Sequence, residues 1–95
     1  MTEFDGLHSM HPAPPRPDAA AVRWLPSERR ANCIRVRAYT CECSPLVFEQ
    51  CVSAGLGFVR RYDRSVSPVT VVESPWVRVA DAEALWRRIM DGQAR

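Results

Sequence analysis

The chain has no lysine: all thirteen of its basic residues are arginine. Neither a Schiff-base lysine nor the lysine of a phosphate-binding P-loop can therefore exist here. The arginines accompany many Ala, Val and Pro, as codon bias in a GC-rich genome would produce; bias of that kind touches every position, whereas recognition needs clustering. Long apolar runs are also missing, and nothing approaches the roughly 20 residues that a membrane-spanning helix needs. The opening MTEFDGLHSMH carries acids where a secretory signal needs basic residues, and it lacks an apolar stretch. The expectation is a cytoplasmic protein with no membrane contact and with cysteines that are reduced or metal-bound rather than paired. A net charge of +2 is too small to argue nucleic-acid binding by itself.

Histidine is scarce. His8 and His11 are the two in the chain, so the C-terminal two-thirds holds no imidazole base, and Ser-His or Cys-His catalysis would need the N-terminal segment to fold in. The acids Glu42, Glu49, Asp63, Glu73 and Asp81 fall at no spacing that demands a carboxylate pair. An enzyme is not expected. Gly55 and Gly57 make no dinucleotide fingerprint, because no third glycine follows at the needed offset. AGLGFVRR, residues 54–61, matches an RNA-recognition octamer at Gly55, Gly57, Phe58 and Val59, but Ala54, Leu56 and Arg61 replace its basic and stacking positions. The spacing from the preceding strand also fits that fold badly, and the match is set aside as coincidence.

What is present divides the chain. Residues 1–31 hold Pro12, Pro14, Pro15, Pro17 and Pro26 with few large apolar side chains, which predicts a flexible, largely disordered arm. Within it, DAAAVRWLP suggests a short helix over 19–25, capped by Asp18 and ended by Pro26. Val22, Trp24 and Leu25 would give that helix an apolar face, either to dock on its own domain or to bind a protein partner; both readings stay open.

Residues 32–95 read as one small α+β domain. CIRVRAYT alternates as a half-buried strand over 33–40. Ser44 and Pro45 suit a helix start, and Leu46, Val47, Gln50, Cys51 and Ala54 share a helical stripe, so a short helix is expected over 45–54 with Gly55 as its stop. A strand over 46–52 is the rival. LGFVRRY and VTVVE read as a strand pair joined by the polar turn 63–68, and Gly57 is read as permitting close packing. DAEALWRRIMDG reads as a C-terminal helix capped by Asp81, with Leu85, Trp86, Ile89 and Met90 along one face and Gly92 as its end. The fold expected is a small antiparallel sheet of about three strands, with a short helix after the first strand and the C-terminal helix packed on the sheet. About sixty ordered residues make a marginal core. A metal, a dimer partner or the arm folding back would each help.

TCECSPLVFEQC, residues 40–51, concentrates three of the four cysteines. No CxxC pair is present, and a strand from Cys33 to Cys41 would separate its ends by roughly 25 Å, which excludes a shared ion. A turn at Glu42 would bring Cys41 and Cys43 together, and Cys51 could join from the next element. The candidate zinc ligands are thus Cys41, Cys43 and Cys51, with His8, His11 or water as the fourth. Buried structural thiols and a Cys41–Cys43 redox pair are the other readings. A second candidate surface is the sheet face expected to join Arg35, Arg37, Tyr39, Arg60, Arg61 and Tyr62, which could hold phosphates and stack bases. The function expected is a non-enzymatic binding or regulatory module acting through a protein partner or as a homodimer, with a zinc-stabilised nucleic-acid-binding protein and a cysteine redox switch as alternatives.

Overall fold

A computed structural model describes residues 10–28 and 33–95. Its elements are β1 (Leu25–Pro26), β2 (Arg35–Tyr39), β3 (Leu46–Ser53), β4 (Leu56–Asp63), β5 (Thr70–Glu73), β6 (Val77–Arg78) and α1 (Val79–Met90). The strands form one antiparallel sheet in the order β1-β5-β4-β3-β2, with β6 pairing the start of β4. A three-stranded sheet with two helices is therefore the wrong architecture: the sheet has six strands, and α1 is the one helix among the described residues.

The correction centres on residues 45–54. Leu46 to Ser53 are strand, not helix, and pair along their whole length with β4. The apolar stripe that suggests a helix has another cause. Phe48 and Gln50 are buried on one face of β3, while Val47, Cys51 and Ser53 are buried on the other. A strand covered on both faces loses its simple alternation and can imitate helical spacing. Valines and Phe48 then favour the strand. The turn after it is a two-residue hairpin loop, with Ala54 at φ 51° and Gly55 at φ 83°, so Gly55 ends no helix.

Helix α1 starts earlier than its sequence suggests. Arg78 takes the N-cap position and supplies no side-chain cap, because β6 runs directly into the helix. Asp81 lies in the first turn, where its carboxylate accepts from Arg78 Nε at 3.2 Å and favours the positive end of the helix dipole. The helix lies close against β4. A Cβ at Gly57 would stand 2.7 Å from Ala82 Cβ and 3.3 Å from Val79 Cα, so glycine is required where the two backbones approach. Trp86 and Ile89 then meet Phe48 and Val59 in the main core, flanked by Leu46, Leu85 and Met90.

Residues 10–28 are not a free arm. They run as a strap past the end of α1: Ala13 N–H donates to Met90 O at 2.8 Å, Arg16 N–H to Gly92 O at 2.8 Å, and Ala20 N–H to Gln93 O at 2.9 Å. Gly92 has φ +76°, and a Cβ there would clash with Pro14 O. The helix over 19–25 does not form. Val22 and Trp24 pack against the core instead, Trp24 donates to Arg95 O at 3.2 Å, and Leu25 pairs with Glu73 in β1. The apolar island thus serves its own domain. The rest of the expected arm, residues 1–9 and 29–31, lies outside the described residues. None of the helices described is long and apolar enough to cross a membrane.

Candidate metal centre

The link from β2 to β3 is built around a tight turn. Thr40 N–H donates to Phe48 O, and Phe48 N–H donates back to Thr40 Oγ1, both at 2.9 Å. The chain turns at Glu42 and Cys43, and Arg64 braces the outside: its backbone N–H reaches Pro45 O at 2.9 Å and its guanidinium donates to Glu42 O. This turn folds Cys43 back toward Cys41. The strap supplies the third member. Met10 bridges Thr40 in parallel and accepts from Cys41 N–H at 2.9 Å, which sets His11 beside the turn.

The ligand atoms of His11, Cys41 and Cys43 all lie within 4.8 Å of one another. Cys43 Sγ is 3.8 Å from His11 Nδ1 and 3.7 Å from Nε2, so both ring nitrogens are close to the Cys43 sulfur. Cys41 is buried, while Cys43 and His11 are exposed. The Cys43 thiol is held above its ordinary pKa, first by its hydrogen bond with Cys41 and then by desolvation and the nearby Cys41 charge, with Arg64 opposing. All four cysteines are free thiols. The donor set of two sulfurs and one imidazole suits zinc or another soft divalent ion.

Cys51 is not part of this group. It pairs across the sheet with Val36, five residues before Cys41, a separation of about 16 Å along a strand. Its place in the ligand set depended on a helix bringing it back, and the strand carries it away. Cys51 is fully buried, and burial pushes its thiol up to about 11, with Glu49 and Glu73 adding to the effect and Arg60 opposing it. His8 lies outside the described residues. His11, one of the fourth ligands considered, is the histidine that the strap delivers.

The expected Arg–Tyr face does not assemble. A bulge between Val36 and Ala38 shifts the register of β2. Arg35 then lies opposite Val52, and Arg37 reaches Glu83 of α1 at 3.7 Å, both on the helix side. Tyr39 lies opposite Glu49 on the far side, exposed. Arg60 and Arg61 are neighbours in one strand and so face opposite ways. Arg61 stacks over Trp24 at 4.8 Å, and its buried Nε has no hydrogen-bond partner among the described residues. Arg60 pairs with Glu49 at 3.4 Å and Glu73 at 3.3 Å, and Tyr62 donates to Glu49 at 3.1 Å. Burial works against the charge on Arg60, but Tyr62, Cys51 and Glu73 outweigh it and raise its pKa. Glu73 also accepts from Ser27 Oγ at 2.9 Å and Trp76 Nε1 at 3.1 Å. This buried network escaped the sequence reading, which treated its acids as scattered; pairing Arg60 with Glu49 and Glu73 needs the strand register.

Comparison with protein-family models, with curated proteins and with solved structures gave no match for this chain.

Proposed function

We propose that this chain is a small cytoplasmic, non-enzymatic binding module whose strap is fastened to its sheet by a zinc-type ion held by His11, Cys41 and Cys43. The observation that carries this reading is the convergence of three ligand atoms within 4.8 Å, drawn from segments thirty residues apart in sequence. Zinc bonds of about 2.3 Å to sulfur and 2.0–2.1 Å to nitrogen put tetrahedral ligands roughly 3.5–3.8 Å apart. The cluster therefore needs to contract by about 1 Å at its widest. Three protein ligands leave one position for water or for a donor from a protein partner or a second copy. Four free thiols suit a reducing compartment. The dispersal of Arg35, Arg37, Arg60 and Arg61 favours a protein partner over a nucleic acid.

Native mass spectrometry of the zinc-loaded chain tests the reading. One zinc per chain is expected, lost in His11→Ala and in Cys43→Ser and retained in Cys51→Ser. A metal-free mass at saturating zinc, or loss of the ion in Cys51→Ser with retention in Cys43→Ser, would overturn it.

A further inference from the structure

At the end of the sheet where Arg35 starts β2, far along that strand from the cysteine turn, lies a cavity of about 380 Å³ lined by Cys33, Arg35, Arg37, Val52, Ser53 and Val79 among others. That volume lies in the range of small-ligand pockets. Arg35 and Arg37 lie two apart in β2 and share its helix-side face, so both stand at the rim of this cavity and Arg37 meets Glu83 of α1. The Arg35 guanidinium has no ion-pair or hydrogen-bond partner among the described residues. Among the described residues Arg37 is held by Glu83 alone, at 3.7 Å, with both side chains substantially exposed, a weak tie that a ligand can replace. Glu83 is in turn shared with Arg87 at 3.8 Å. Arg78 and Asp81, next to Val79 in the chain, pair with each other.

We infer that this cavity binds an anion of the phosphate class. Arg35 offers a planar fork of donors that matches two phosphate oxygens, and Arg37 adds a second positive charge. Val79, the first residue of α1, lines the same cavity, and the first turn of that helix carries no side-chain cap, which adds to the attraction for an anion. Val52 and Val79 give an apolar floor for a group attached to the phosphate. The remaining sheet arginines are committed elsewhere, Arg60 to Glu49 and Glu73 and Arg61 to Trp24. The site thus suits one phosphoryl group and not a track of successive phosphates.

The test is an NMR titration of the full chain at constant ionic strength, first with inorganic phosphate and then with phenyl phosphate. Shifts are expected at Arg35 Nε and at the Ser53 and Val79 amides, and Arg35→Gln should weaken binding about tenfold. Tighter binding of phenyl phosphate assigns the site to a phosphate ester, and equal binding assigns it to free phosphate. Arg88→Gln, at an exposed position on α1, serves as the control that should leave binding unchanged. No shift at Arg35, affinity undiminished in Arg35→Gln, or a single-stranded oligonucleotide that outcompetes phenyl phosphate would each overturn the inference.

Discussion

On the face of the sheet covered by α1, Phe48 and Val59 pack against Trp86 and Ile89, with Trp24 tilted over Phe48 at a ring separation of 6.2 Å. On the opposite face, the same two strands carry Glu49, Arg60 and Tyr62, with Glu73 beside them and Phe58 stacked on Trp76 at 4.3 Å. The first face removes hydrocarbon from water and needs only shape and volume to agree. The second buries charge. Glu73, with a side chain 2 % exposed, is tolerable there because Arg60, Ser27 and Trp76 all donate to it. A charge so buried costs several kcal/mol unless its partners are in place. The comparison teaches that the two faces fail differently: the apolar one by cavity, the polar one by orphaned groups.

The largest effects should come from breaking each face in turn. Phe48→Ala opens a cavity in the core and is expected to lower stability by about 3–5 kcal/mol, read from the urea unfolding midpoint. Glu73→Ala strands Arg60, Ser27 and Trp76 and should cost about 3 kcal/mol. A cost below about 1 kcal/mol for Glu73→Ala would mean that the polar face contributes little and the comparison fails.

The faces should also differ in their response to pH. The thiol of Cys51, on the polar face, is raised from 9.0 to about 11 by burial. Its unfolded form therefore loses a proton before its folded form does, and the unfolded state binds fewer protons between those values. Stability contributed by this group is whole below about pH 9 and falls as pH rises toward about 11. The urea midpoint should decline over that window, and Cys51→Val should flatten the decline. Iodoacetamide labelling at neutral pH should reach the exposed Cys33 and Cys43 well before Cys51.

The smallest effect concerns the β3–β4 hairpin, which both faces share. Ala54 occupies left-handed backbone at φ 51°, a conformation that costs an L-residue roughly 1–2 kcal/mol. Ala54→Asn should raise the unfolding midpoint by the equivalent of about 1 kcal/mol, because Asn-Gly is the favoured pair for such a turn. A fall in stability would show that the Ala54 side chain makes a contribution the backbone argument misses.

Local signals were legible where one element answers to one face. The α1 stripe of Leu85, Trp86, Ile89 and Met90 stands in the sequence as it stands in the fold, and Gly92 ends the helix region as its chemistry requires. The strands at LGFVRRY and VTVVE were legible from their β-branched and aromatic residues, bounded by turn residues. The helix expected over 45–54 shows where such reading stops: burial on two sides erased the alternation that marks a strand. The candidate site was half legible. Cys41, Cys43 and a turn at Glu42 follow from residue type and the Ser-Pro after them, whereas the choice of His11 over Cys51 does not.

The sequence alone settled the absence of lysine chemistry and the helix at the C-terminus, and it pointed to a turn that draws Cys41 and Cys43 together. Each of these depends on neighbours within a few positions, where local sterics and hydrogen bonding suffice. Only the tertiary structure decided that the proline-rich strap lies against the end of α1 and carries His11 to the cysteine turn. It alone decided that a one-residue bulge turns Tyr39 to the face opposite Arg35 and Arg37, and that Arg60 finds Glu49 and Glu73 across the sheet. Those outcomes depend on register and on contacts across the sheet, where a shift of one residue moves a side chain to the other face and nothing in the local sequence records the choice.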